Sequence, residues 1–160
     1  MALLETVDPQ GLDEFSVVAT ARSLNHMSKG FQQVMLDINA LLKEVYQADA
    51  VALVPGGGTY AMEAVARQFA RGANALVVRN GWFSYRWSQI FETGGFTASS
   101  TVMKARRTGN ESASPFEPAP IGDVVAAIHE QKPDIVFAPH VETAAGVILP
   151  DDYVTAMAAA

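Results

Sequence analysis

AVALVPGGGTYAMEAVARQFARG, residues 50–72, is the stretch from which the fold is read. Its first five residues, AVALV (50–54), form a short continuous apolar run, as a strand buried on both faces would. Pro55-Gly56-Gly57-Gly58 breaks the run. From Thr59 to about Arg71 the pattern is helical, and Gly72 stands where a glycine commonly closes a helix. A strand, a glycine turn and a helix in that order belong to an α/β layer. Three glycines let the backbone turn tightly and approach a ligand with no Cβ in the way. The helix that follows directs free N–H groups and the positive end of its dipole into the turn. Such a place favours an anion, most often phosphate, and Thr59 adds a hydroxyl donor.

The alternation continues on both sides. Upstream, residues 28–48 predict a helix, because Phe31, Val34, Met35, Ile38, Leu41, Leu42, Val45 and Tyr46 recur at the spacing of one helical face. Ser28 is its expected N-cap. Downstream, ALVVR (75–79) predicts a strand, residues 83–93 a helix closed by Gly94-Gly95, and residues 98–104 another strand. Residues 104–120 are polar and carry Pro115, Pro118 and Pro120, so they read as an irregular surface loop. Residues 121–131 predict a short helix with Val124, Val125 and Ile128 inward, and DIVFA (134–138) a strand. The expected fold is α/β with a largely parallel sheet. PDDYVTAMAAA (150–160) opens a last helix, with Asp151 and Asp152 matched to its dipole. That helix shows no stop signal before Ala160, so the sequence reads as cut in mid-helix, the N-terminal piece of something longer.

The chain has 160 residues, a net charge of −6, 49% apolar residues and no cysteine. That apolar share supplies a packed core and excludes a disordered chain. The acidic balance argues against a nucleic-acid partner and a basic membrane-surface helix. No apolar run reaches the roughly 20 residues of a membrane span. Without cysteine there is no disulfide framework, thiolate nucleophile or Cys-ligated metal. His26, His129 and His140 share no i,i+4 spacing, and no metal site is expected. The expectation is a cytoplasmic chain the size of one domain.

The glycine turn admits several ligands. No Gly-Lys-Ser/Thr follows it, which argues against a nucleotide triphosphate loop. Gly56, Gly58 and Ala61 fit the G-x-G-x-x-A form of an NAD(P) fingerprint. That reading wants an acid after the next strand, where Arg79-Asn80-Gly81 stands instead. A non-catalytic phosphate-binding module is a further alternative.

MSKGFQQVMLDINALLKEVY (27–46), VPGGGTYAMEA (54–64), RNGWFSYRW (79–87) and HVETAAGVILP (140–150) together resemble successive landmarks of the class V aminotransferases. These are fold-type-I enzymes that use pyridoxal 5′-phosphate, and the alanine/serine–glyoxylate branch is the most similar. The resemblance runs from about Ser23 onward. It implies the three-layer α-β-α large domain of a fold-type-I transferase, truncated: residues 1–22 as an N-terminal arm, residues 23–160 as the first part of the large domain. It implies a homodimer, a small amino acid and a 2-oxo acid such as glyoxylate or pyruvate as substrates.

The resemblance also assigns residues. Gly57, Gly58 and Thr59 match the turn that holds the cofactor phosphate. Phe83 matches the aromatic stacked on the pyridine ring, with Trp82 the adjacent alternative. Thr143 matches the hydroxyl beside the ring near its phenolic oxygen, and His140 and Glu142 are expected to orient the pocket. The Schiff-base lysine and the aspartate on the pyridine nitrogen are expected beyond Ala160. Lys29, Lys43, Lys104 and Lys132 read as solvated charges. FSVVATARSLNHM (15–27) stands where the family has a Gly-Pro-rich segment that helps seat the substrate carboxylate. A lyase or desulfurase of the same fold is the near rival.

Overall fold

The computed structural model describes residues 28–160, so the expected arm over residues 1–22 lies outside them. The chain divides into two units, Met1–Leu53 and Val54–Ala160. In the first, helix α1 (Lys29–Tyr46) forms where the apolar spacing predicts it. Ser28 Oγ accepts the Phe31 N–H at 3.1 Å, the expected N-cap. Gln47, at φ 50°, ends the helix in the left-handed region. No residue of α1 is buried.

The expected strand over residues 50–54 does not form. A strand exists only through the ladder of a neighbour, and no described segment pairs with this one. The Val51 carbonyl instead accepts from the Asn39 side chain at 3.2 Å, and Leu53 and Val54 stay exposed. The apolar run is there; the partner that would make it a strand is not among the described residues.

The second unit is layered. Strand β1 (Asn74–Arg79) is buried at four successive residues, Ala75 to Val78. It pairs in parallel with β2 (Ser99–Lys104) on one side. Its other neighbour is residues 135–137, numbered β5 below. Between β1 and β2 runs α3 (Trp82–Gly94), and ahead of β1 stands α2 (Gly58–Phe69). The stretch expected as irregular loop instead holds a small antiparallel hairpin, β3 (Arg106–Arg107) with β4 (Phe116–Glu117). Then come α4 (Ile121–Gln131), β5 (Ile135–Phe137), a second hairpin of β6 (Val141–Glu142) and β7 (Val147–Ile148), and α5 (Asp151–Ala159). Two-residue strands leave too short a pattern to be seen in sequence, and neither hairpin was expected.

Successive β1 side chains go to opposite faces. Ala75 and Val77 pack with Ala66 and Ala70 of α2, Phe91 of α3, and Phe96 and Phe137. Leu76 and Val78 pack with Val124 and Ala127 of α4, Leu149, and Tyr153 of α5. The result is helix, sheet, helix in three layers, with strand order β2-β1-β5. From β1 the chain passes through α3 to β2, then back through α4 to β5 on the other side. The carboxyl end of β1 therefore lies where the direction of winding reverses, the usual ligand position in open α/β sheets.

Candidate functional site

The glycine turn opens onto the start of α2. Gly56, at φ 127°, holds a conformation that L side chains rarely adopt, and a Cβ there would meet the Tyr60 ring at 2.5 Å. Gly57 is the N-cap, and no side chain caps the first turn. An added Cβ at Gly57 or Gly58 would meet nothing within 4 Å. The helix begins at Gly58, one residue before the expected Thr59. The Tyr60 N–H is bonded to the Gly57 carbonyl at 2.9 Å, while the N–H groups of Gly58 and Thr59 precede the first intrahelical bond, a fit for an anion.

Thr59 is half-buried, and its hydroxyl oxygen accepts a hydrogen bond from Arg86 Nη1. With Arg86 donating into it, the single hydroxyl proton of Thr59 is left to donate elsewhere. The Arg86 guanidinium also lies 5.8 Å from the centroid of the Phe83 ring, within cation–π range. One arginine thus joins the expected phosphate turn on α2 to the expected stacking residue on α3. Thr59 and Arg86 border a groove of about 340 Å³ between the two helices. The sequence reading missed Arg86. Its signal was the spacing of three from Phe83, which puts both on one helical face.

At the start of α3 the organising group is Glu142. Its side chain is fully buried. Oε1 accepts the Phe83 N–H at 3.0 Å; Oε2 accepts the Ser84 N–H at 2.8 Å and the Ser84 hydroxyl at 2.6 Å. Ser84 Oγ accepts in turn from the Asn80 and Gly81 N–H groups, at 2.8 and 3.1 Å. A carboxylate from β6 therefore caps the helix and suits the positive end of its dipole. Burial alone would raise the Glu142 pKa. Hydrogen bonds from the Ser84 hydroxyl and the Ser84, Phe83 and Ala144 backbone outweigh burial and hold the carboxyl below its usual value. Gly81 must lack a side chain here, because a Cβ would sit 2.7 Å from Glu142 Cγ.

The other expected residues are less engaged. Phe83 and Trp82 occupy the first turn of α3 and are 46% and 58% exposed, so both rings are open to a ligand. The Trp82 ring lies 5.8 Å from that of Tyr85. Thr143 stands exposed in the turn between β6 and β7. His140 is exposed, and its carbonyl accepts the Leu149 N–H at 2.9 Å. The structure joins Thr59, Phe83 and Glu142 through Arg86 and Ser84. Among the described residues Thr143 and His140 make no side-chain hydrogen bond to that group.

The crystal structure of ureidoglycine–glyoxylate aminotransferase from Bacillus subtilis matches this chain with a TM-score of 0.65 and 21% identity. The chain has the fold of part of an aminotransferase. The match covers 85% of this chain and 34% of that one, so the chain spans about a third of that protein's length. No family model matches the chain, and no curated protein matches it in sequence. No helix among the described residues is long and apolar enough to cross a membrane.

Proposed function

We propose that this chain forms the phosphate- and ring-binding part of a pyridoxal 5′-phosphate-dependent aminotransferase of class V. In this reading an amino group passes from a small amino acid, of the alanine or serine type, to a 2-oxo acid such as glyoxylate or pyruvate, in a cytoplasmic homodimer. The observation that carries the proposal is the Thr59–Arg86–Phe83 connection beside an uncapped helix start. It supports a reading in which one side chain joins an anion cradle to an open aromatic face.

The residues present fit the cofactor. The space where Cβ atoms of Gly57 and Gly58 would point is free for phosphate oxygens, and the first-turn N–H groups of α2 donate to them. Thr59 adds its hydroxyl proton. Phe83 offers its ring to the pyridine, held at its N–H by Glu142. Thr143, exposed in the turn between β6 and β7, is the hydroxyl that the family resemblance assigns to the phenolic oxygen. When bound, the cofactor supplies the electron sink for the amino-group chemistry. Within this chain the residues bind and orient; the lysine base and the aspartate on the pyridine nitrogen are assigned to sequence beyond Ala160, and residues 1–160 alone should not transaminate. A lyase or desulfurase would use the same contacts. The dinucleotide alternative needs a strand ahead of Gly56, and residues 50–54 form none.

Pyridoxine 5′-phosphate tests the proposal, because it lacks the aldehyde and so reports phosphate and ring contacts without a lysine. Titration followed by tryptophan fluorescence should show it binding more tightly than unphosphorylated pyridoxine. Equal binding of the two, or none, would sink the assignment.

A further inference from the structure

A cavity of about 410 Å³ opens at the carboxyl ends of β1 and β2. Arg79, Lys104, Pro115 and Phe116 border it, together with Ala144 and Ala145 from the turn between β6 and β7. Its volume lies in the roughly 300–1,000 Å³ range of small-molecule sites. Peptide N–H groups on its rim are already engaged. Asn80 and Gly81 donate to Ser84 Oγ, Ala105 to the Arg79 carbonyl at 2.9 Å, and Ala145 to the Glu142 carbonyl at 3.3 Å. The Asn80 carboxamide is buried and offers the cavity nothing.

What the rim holds uncompensated is positive charge. Arg79 and Lys104 are register partners on adjacent parallel strands, so their side chains leave the same face of the sheet side by side. Among the described residues no carboxylate pairs with either. Arg79 reaches the Ser88 hydroxyl at a long 3.5 Å and lies 4.9 Å from the Tyr85 ring centroid. Lys104 is exposed. The next arginines are occupied: Arg106 pairs with Asp123 at 3.0 Å, and Arg107 donates to the Glu111 carbonyl at 3.2 Å. The rest of the border is apolar. Phe116 is 44% exposed, so its ring is open to contact, and Pro115, Ala144 and Ala145 add no polar side chain.

We propose that this cavity binds a small monocarboxylate with a hydrocarbon body, of the arylacetate or alkylacetate kind. Lys104 takes the carboxylate, and Arg79 beside it adds charge of the same sign. The hydrocarbon body lies against Phe116 and Pro115 and needs no hydrogen-bonding group of its own. The site stands independently of the cofactor reading, since Gly57, Gly58, Thr59 and Phe83 are not among its walls.

Equilibrium dialysis of phenylacetate against the full chain tests the site. Acetate, which keeps the charge without the ring, and phenylacetamide, which keeps the ring without the charge, serve as comparators. Phenylacetate should bind, and each comparator should bind more weakly by about tenfold or more, the worth of a buried apolar group or a charge-assisted hydrogen bond. Lys104→Met should weaken phenylacetate by about tenfold, and Lys104→Arg should restore most of the affinity. Phe116→Ala should bring phenylacetate down toward acetate. Lys104 is exposed, so its variants decide the matter even if Phe116→Ala folds poorly. Pyridoxine 5′-phosphate should titrate alike in the Lys104 variants and the parent chain. Absence of binding at millimolar phenylacetate, equal binding of phenylacetamide, or binding that survives Lys104→Met unchanged would overturn the proposal. So would a loss of pyridoxine 5′-phosphate binding in Lys104→Met, which would assign the charge to the cofactor instead.

Discussion

Glu142 Oε2 lies 2.6 Å from Ser84 Oγ, both side chains are buried, and 58 residues of chain separate them. The contact ties the hairpin after β5 to the first turn of α3. It makes the position of Phe83 depend on an acid that never needs to touch a ligand. Glu142 holds the start of α3, and its effects should appear first in stability.

Glu142→Gln should lower stability by about 1–3 kcal/mol, the cost of breaking hydrogen bonds to a buried charged group. The sign with pH follows from the lowered carboxyl pKa. A group depressed on folding contributes fully above the ordinary carboxylate value, and its contribution is lost as pH falls through the folded value. Urea midpoints of the two proteins should therefore converge on acidification. A constant gap down to strongly acidic pH would show that the cap does not act as a carboxylate.

Gly81→Ala and Gly58→Ala should act oppositely. At Gly81 the new Cβ meets the stem of a side chain fixed by its hydrogen bonds to Ser84 and Phe83, and overpacking of that kind costs about 1–3 kcal/mol. At Gly58 the space is open, and the substitution should leave stability unchanged or raise it by about 0.4–1 kcal/mol through the unfolded chain. Gly58→Ala should nonetheless weaken pyridoxine 5′-phosphate, since the methyl takes space assigned to phosphate. Thermal melts and one titration separate the two effects.

Thr59→Val should cost phosphate-bearing probes about tenfold in affinity, the value of one hydrogen bond to a charged group, and leave pyridoxine unaffected. Arg86→Gln should do the same less severely, because it frees the Thr59 hydroxyl without deleting it. If Arg86→Gln weakened pyridoxine and its phosphate equally, the arginine would serve the Phe83 ring alone.

Phe83→Ala should weaken cofactor retention by about 1 kcal/mol, the scale of an aromatic contact. Trp82→Ala should act mainly on packing against Tyr85. Reversal of that order in a cofactor titration would make Trp82 the stacking residue.

Much of the architecture was legible because it depends on local pattern. The Ser28 cap, the four buried residues of β1, the Gly95 stop of α3 and the bounds of α4 follow from spacing and single-residue conformational preferences. What failed depended on partners. AVALV has the composition of a strand, but composition cannot supply a neighbouring ladder. Phe116 and Glu117 form a strand only because Arg106 and Arg107 lie opposite. In the site, the glycine turn was readable from its chemistry, whereas the Arg86 bridge and the Glu142 cap each join helices and hairpins distant in sequence. Glu142, expected to orient the pocket, bonds the backbone N–H groups of Phe83 and Ser84 at the start of α3.

The distance in sequence between Ser84 and Glu142 also has a temporal side. A ribosome adding about 5–20 residues per second needs roughly 3–12 s to travel from one to the other. Until Glu142 is made the emerging α3 lacks the carboxylate at its first turn, and β1 gains β2 as a neighbour before β5. The second unit can close only after its last hairpin has been made, so a nascent chain halted before Glu142 would carry a nearly complete sheet around an unfinished helix.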